Sequence, residues 1–225
     1  MSPTSRAPSL TDRHTESLRR MILTGELRPG EVVVEPRLAE LFESSKTPVR
    51  EALKRLADEG LISVLPKKGY LVRPMTPQDL AEVLDMRMLL EPHAAAEAAR
   101  LADGAVIERL RDQLQRQDTV GEDDPLGRTE HARCFHSEIA RAARSTRLEA
   151  VLLRCFEEMV RAHHVLPELR EHLVLPDEID EHEEILSAIA EARPERAETA
   201  MRRHLRTIHG SISARMTAGS SLWRT

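Results

Sequence analysis

The sequence predicts a mainly α protein with two domains: a winged helix-turn-helix with a small β-hairpin wing, then an all-α helical bundle. Three helical patterns and two β-prone runs fill the first 74 residues, and only helical patterns follow them. The two parts also differ in charge. Residues 1–74 contain 13 Lys and Arg against 10 Asp and Glu, whereas the remainder contains 20 against 28. A basic first domain and an acidic second domain indicate different binding partners.

The first domain contains three predicted helices. Apolar residues from Leu10 to Ile22 outline the first, which is expected to stop at Gly25, and residues 37–42 outline a short second helix. The third helix has a regular apolar face, made of Val49, Ala52, Leu53 and Leu56. This face is expected to pack on the two preceding helices.

The opposite face of the third helix is polar and basic. Thr47, Arg50 and Lys54 form a stripe on it, Lys46 lies in the first turn, and Ser45 or Thr47 can cap the helix. The start of such a helix can hydrogen-bond phosphates and base edges in a DNA major groove. Taken alone, the stripe could also be an ordinary solvated face.

A predicted β-hairpin follows this helix. Residues 61–65 and 70–73 are β-prone, and residues 66–69 between them have turn composition with Lys67 and Lys68 at the tip. A basic tip of this kind can reach an adjacent groove or the phosphate backbone.

Residues 10–74 resemble the DNA-binding domain of the GntR family of bacterial transcription regulators. The matching segments are residues 22–30, 38–40, 46–53 and 59–61, together with Leu56 and Gly69. The resemblance implies a homodimer that reads a short inverted repeat in double-stranded DNA. It also implies a set of DNA contacts, namely Arg37, Ser45, Lys46, Thr47, Arg50, Lys54, Lys67, Lys68 and Gly69. Glu43 stands where the family usually has glycine, so it is expected to adopt a left-handed backbone conformation.

The second domain is predicted to span residues 75–216, with flexible tails at residues 1–8 and 217–225. Thr76, Pro77 and Asp79 have the pattern of a helix start. Six helices are expected, near residues 77–101, 104–119, 124–144, 146–165, 177–191 and 195–216. The absence of a strand pattern favours a helical bundle.

Four polar residues interrupt the apolar faces of these helices: Arg87, His136, His182 and His204. Any one of them alone is more simply explained as a hydrogen-bonded core residue or half of an ion pair. Four such residues in one bundle would be costly to bury without a shared use. Imidazoles from facing helices can bind a transition metal, and a guanidinium can bind a carboxylate.

This domain resembles the helical ligand-binding domain of the FadR subgroup of GntR regulators, through residues 85–92, 135–140, 181–189 and 200–205. In metal-binding members, an aspartate four residues before the first histidine and three histidines are the ligands. His136, His182 and His204 match the histidines, but Ala132 replaces the aspartate. The resemblance implies a divalent zinc, nickel or manganese ion, with water or an effector carboxylate completing its shell, and Arg87 as the anchor of a small organic-acid effector. A metal-free polar pocket is the alternative.

Other polar residues are interpreted without a specific function. We expect the acidic run at residues 177–184 to be a solvated face and Cys134 and Cys155 to be ordinary thiols. The remaining histidines are assigned to the surface or to helix caps: His14, His93, His131, His163, His164, His172 and His209.

Two further expectations concern location and activity. The chain has neither a membrane-spanning apolar run nor a signal-peptide core, so a cytoplasmic protein without membrane contacts is expected. A metallohydrolase that uses the three histidines is the alternative function. It is disfavoured because no carboxylate is predicted on the inward faces and because the basic winged head would have no role.

Overall fold

The computed structural model describes residues 8–120, 124–166, 169 and 177–218, which form two compact units, Met1–Met75 and Thr76–Thr225. Most of the two predicted tails lies outside the described residues, as does His172. Residues 217 and 218 belong to the last helix.

The first unit contains three helices and three short strands among its described residues. In chain order these are α1 (Leu10–Leu23), β1 (Val32–Val33), α2 (Glu35–Leu41), α3 (Lys46–Asp58), β2 (Ile62–Leu65) and β3 (Gly69–Val72). α1 begins with a capping box in which Ser9 and Asp12 each bind the other's backbone N–H. Leu18, Val49 and Leu56 are fully buried between the helices, as the apolar spacing predicts.

The wing is a three-stranded antiparallel sheet in the order β1-β3-β2. The predicted hairpin pairs Ile62 with Val72 and Leu65 with Gly69. β1 adds a strand that the sequence did not predict, with Val33 opposite Tyr70. A strand of two residues has no alternation to detect, and this one depends on its partner for its conformation.

Helices are the regular secondary structure of the second unit in its described residues. Its helices are α4 (Pro77–Leu101), α5 (Gly104–Thr119), α6 (Pro125–Ala142), α7 (Thr146–Val165), α8 (Asp177–Ala190) and α9 (Pro194–Ala218). Polar N-caps explain where several begin: Thr76 and Asp79 form a capping box on α4, and Asp103, Asp124 and Ser145 cap α5, α6 and α7. These helices surround a shared core, and α4 packs against α6, α7, α8 and α9. In the part of the chain that the structure describes, no helix has the length and apolar character needed to cross a membrane.

Candidate DNA-binding face and metal centre

The predicted polar stripe of α3 is exposed to solvent. Lys46, Thr47, Arg50 and Lys54 all lie on the surface, while the apolar face of the same helix is buried. Ser45 is the N-cap residue, and its side chain does not cap the helix. The first turn of α3 therefore presents hydroxyl and cationic groups together, as a recognition helix requires.

Arg50 is held in a defined orientation by Glu35 at the start of α2. The Arg50 guanidinium donates from Nε and Nη2 to the Glu35 carboxylate, at 2.9 and 2.7 Å. Tyr70 of β3 also donates its hydroxyl to Glu35, at 3.4 Å. The hydrogen bonds from Arg50 lower the pKa of Glu35, so this carboxylate stays ionised. This contact links α2, α3 and the wing at the exposed face.

The wing tip has a constrained backbone. Lys67 and Lys68 are exposed, and Lys67 adopts a positive φ of 63° in the turn. Gly69 has a φ of 114°, and a Cβ at this position would lie 2.4 Å from the carbonyl oxygen of Val33. Glycine is therefore required where β1 approaches the hairpin.

The turn before α3 accounts for the backbone conformation of Glu43 and for the burial of His14. Glu43 has a φ of 47°, the left-handed conformation expected where the family has glycine. His14 is buried, which corrects its assignment to the surface: its ring stacks on Phe42 at 4.8 Å and hydrogen-bonds Ser44 at 2.9 Å. Arg37 is exposed and lies 3.6 Å from Glu31.

The second unit brings the three predicted histidines together in its core. His136 of α6, His182 of α8 and His204 of α9 are at most 4% exposed. Their Nε2 atoms form a triangle in which each pair is 3.2 Å apart. We call these three residues the histidine triad.

Each imidazole of the histidine triad is oriented by an oxygen at its other nitrogen. Nδ1 of His136 contacts Glu91, Nδ1 of His182 lies 2.8 Å from the side-chain oxygen of Gln117, and Nδ1 of His204 lies 2.9 Å from Glu181. Because these oxygens only accept, each Nδ1 is the donor. A neutral ring then directs its Nε2 lone pair at the other two rings.

Three converging lone pairs repel one another unless a cation lies between them. Tetrahedral zinc with Zn–N bonds of about 2.0–2.1 Å requires nitrogen atoms about 3.3–3.4 Å apart, close to the observed separation. Oxygen partners at the far nitrogen are also the usual second contacts of metal-bound histidine. Burial and the neighbouring imidazoles lower the pKa of His182, which keeps its nitrogen available to a metal. The histidine triad fits a divalent transition metal.

Arg87 is buried beside the histidine triad and shares a carboxylate with it. Its Nε donates to Glu91 at 2.5 Å, and the other Glu91 oxygen accepts from His136. Burial favours the neutral acid, but Arg87 and His136 outweigh it and lower the pKa of Glu91 to about 2. The Arg87 guanidinium also lies 5.5 Å from the ring centre of Phe156.

A small cavity of about 40 Å³ adjoins the histidine triad at the position of the absent aspartate. Its wall includes Ala132, His136, Arg87, Phe156, His163 and Glu178. Ala132 precedes His136 by one helical turn, so the cavity occupies the side from which an aspartate would extend. The lining thus combines two cations, Arg87 and Arg133, with a metal-ligand candidate and an acid.

Several polar residues here contradict the sequence-based interpretation. Glu178 and Glu181 lie in the acidic run predicted to be solvated, yet they are 6% and 8% exposed. They follow the helical spacing of His182 and Ile185 and therefore face inward. His163, assigned to the surface or a cap, is 3% exposed and lines the cavity.

Sequence reasoning missed Glu91, Gln117 and Glu181, the residues that orient the imidazoles. Glu91 follows Arg87 by four residues, a spacing that places the two on one helix face and was available as a signal. No sequence signal identified Gln117, because a single amide in a polar helix resembles any surface glutamine. The inward carboxylates also remove one argument made against a hydrolase.

The fold and its exposed basic helix define a winged-helix DNA-binding regulator with a separate helical domain. The chain belongs to the GntR family: residues 10–72 match "Bacterial regulatory proteins, gntR family", and residues 82–207 match "FCD domain". These families and the relatives below are transcription regulators, so the protein is not an enzyme and the metallohydrolase alternative is wrong.

Relatives support this family along most of the chain. An uncharacterised HTH-type transcriptional regulator from an unstable DNA locus of Streptomyces ambofaciens is 34% identical over 87% of this chain and 81% of its own length. The HTH-type transcriptional regulator LutR of Bacillus subtilis is 28% identical over 86% and 96%.

Solved structures share the fold. Escherichia coli McbR/YncC superposes with a TM-score of 0.76 at 24% identity, covering 94% of this chain and 99% of its own. A GntR transcriptional regulator from Rhodococcus sp. RHA1 also gives a TM-score of 0.76, at 25% identity over 92% and 99%.

Proposed function

We propose that this protein is a ligand-responsive transcription regulator of the FadR subgroup, whose operator affinity is set by a small carboxylate effector bound beside a divalent metal. The observation that carries the proposal is the histidine triad: three Nε2 atoms 3.2 Å apart inside a domain joined to a winged DNA-binding head. The histidine triad gives the helical domain a chemical function distinct from DNA binding.

The DNA contacts are assigned to the exposed start of α3 and to the wing. Lys46, Thr47 and Arg50 would enter the major groove, with Ser45 and Lys54 at its edge. Lys67, Lys68 and Gly69 would contact the backbone or an adjacent groove. Arg37, at the start of α2, would bind phosphate. Phosphate contacts of this kind give affinity, and base contacts give sequence preference.

A homodimer follows from the small size of one head. A single winged domain reads few base pairs, whereas two heads related by a two-fold axis read both halves of an inverted repeat. The second unit would then transmit effector binding to the spacing of the heads. A coupling of about 1–3 kcal/mol between effector and DNA is typical of such regulators.

His136, His182 and His204 would hold the metal, and zinc, nickel and manganese are the candidates. A bound dication would supply the positive charge that attracts a carboxylate into the pocket. Because Ala132 supplies no ligand, an effector carboxylate or water would complete the shell. The same substitution favours a second candidate, in which the histidines form a metal-free polar pocket and Arg87 anchors the acid.

Arg87 is assigned as the effector anchor. It is buried, lines the cavity beside His136, and contacts Glu91 through its Nε alone. Neither Nη group makes a hydrogen bond to a described residue. A planar guanidinium with two such groups can hold a carboxylate in a bidentate geometry.

The recognition helix can be tested by selecting operator sequences from a random DNA library with the full-length protein. Arg50→Ala should then weaken binding to the selected operator by roughly tenfold to a hundredfold and relax its sequence preference. Arg55→Ala is the matched control, because Arg55 lies on the same helix but pairs with Asp12 of α1. Unchanged affinity and preference in Arg50→Ala would contradict the assignment.

A further inference from the structure

The cavity beside Ala132 has a second polar wall, formed by Glu178. Glu178 lies on α8, one turn before His182, and is 6% exposed. Its Oε2 has no hydrogen-bond partner among the described residues. A buried carboxyl oxygen without a partner is costly, and this one borders the space left by Ala132.

Charged residues on three helices act on Glu178. Arg87 of α4 and Arg128 of α6 favour its ionised form, while Glu181 of α8 opposes it. Burial outweighs the favourable contacts and raises the pKa of Glu178 to about 8. At neutral pH this residue is therefore a carboxylic acid with one O–H to donate.

Arg87 and Glu178 give the cavity two different recognition groups. The Arg87 guanidinium suits a carboxylate, and a neutral acid suits an uncharged or anionic oxygen acceptor. A ligand with one carboxylate and no other oxygen would leave Glu178 without a partner. A ligand with a second oxygen would satisfy both groups.

Resting on the function proposed above, we propose that Glu178 donates a hydrogen bond to a second oxygen of the effector, so that the pocket selects small acids carrying a hydroxyl, carbonyl or second carboxyl group. The modest cavity of about 40 Å³ fits short-chain acids. Glu178 thereby determines specificity, while Arg87 and the metal that the histidine triad would hold bind the common carboxylate.

Isosteric acid pairs can test this assignment on the zinc-loaded full chain by calorimetry at pH 7. The probes are glycolate against propionate, 2-hydroxypropionate against 2-methylpropionate, and malonate against 3-methylbutanoate. Each pair exchanges an oxygen function for an apolar group of similar size. The wild type should bind the oxygen-bearing member of at least one pair about tenfold more tightly.

Two substitutions separate hydrogen bonding from packing. Glu178→Gln keeps an N–H donor and should keep the preference, whereas Glu178→Met should reduce it to within about twofold. Replacing a neutral, incompletely bonded acid by an apolar side chain should not impair folding. Glu183→Gln, on the exposed face of α8, is the control, and zinc content is measured in every variant.

The outcomes distinguish this inference from the function on which it rests. Equal binding within every pair would overturn the role of Glu178 but not the proposed function. A preference that survives in Glu178→Met would also overturn this role, and it would assign the preference to chelation by the metal. A preference lost in Glu178→Gln would show that the carboxyl acts as an acceptor or ligand and would also overturn it. Failure of every acid to bind would contradict the carboxylate effector itself, and this inference with it.

Discussion

The Glu35 carboxylate accepts hydrogen bonds from two nitrogen atoms of Arg50, at 2.9 Å from Nε and 2.7 Å from Nη2, on the exposed face assigned to DNA. This pair leaves Nη1 of Arg50 without a hydrogen bond to a described residue. The carboxylate also brings a negative charge close to where phosphates would bind. Glu35 therefore orients Arg50, but its negative charge weakens the non-specific electrostatic attraction of this face to DNA.

Glu35→Gln should lower the preference for operator over unrelated DNA by roughly threefold to tenfold, because Arg50 loses its ionic partner and its fixed orientation. Affinity for unrelated DNA should rise, because a negative charge is removed from the face. The measurement is the dissociation constant for both DNAs at two salt concentrations. Glu51→Gln removes a neighbouring charge that pairs with Lys54 instead, and an equal loss of preference in that variant would refute the orienting role.

Gly69→Ala should destabilise the first unit by about 1–3 kcal/mol, because the new methyl group would clash with the Val33 carbonyl at a positive φ. Gly104→Ala is the matched control: nothing lies within 4 Å of a Cβ there, and α5 should become slightly more stable. Urea unfolding followed by circular dichroism measures both. Equal stability of the two variants would contradict the close approach of β1 to the hairpin.

Gln117→Leu should weaken zinc binding by roughly tenfold to a hundredfold, because Nδ1 of His182 would lose the oxygen that orients it. Competition with a chromophoric chelator measures the affinity. Gln113→Leu is a close control, since Gln113 lies on the same helix and makes the same kind of contact with His131, outside the histidine triad. A Gln117→Leu variant with the affinity of wild type would mean that this contact does not support a metal.

Much of this fold could be predicted from the sequence. Helical spacing and capping residues gave the bounds of α4, α5 and α7, and the inward faces of the bundle followed from the same spacing. The chain's three converging histidines could be identified because each interrupts an apolar face. These features are local, so the sequence of a single helix is enough to predict its bounds and its inward-facing residues.

The unpredicted part depends on contacts between distant segments. β1 exists because β3 pairs with it, and Gln117 is distinguished only by its position against His182. Glu178 and Glu181 were assigned to solvent because charge runs are usually exposed. Their burial depends on the facing helices, which the sequence of α8 alone does not specify.

The raised pKa of Glu178 predicts a pH dependence of stability. The acid stays protonated in the folded chain up to a pH of about 8 but ionises near 4.5 when unfolded, so the free energy of unfolding should fall as the pH rises between these values. Glu178→Gln removes this contribution. Its stability relative to wild type should rise by about 2 kcal/mol from pH 5.5 to pH 7.5, measured by urea unfolding. A constant difference between the two proteins would contradict a buried neutral acid.

We propose that the histidine triad binds a divalent metal although Ala132 supplies no ligand. The most direct test is elemental mass spectrometry of protein purified without a histidine tag, with His182→Ala as the control. We expect about one zinc, nickel or manganese ion per wild-type chain and none in the variant. Wild-type protein that holds no metal, even after reconstitution with each of these ions, would contradict the claim and favour the metal-free pocket anchored by Arg87.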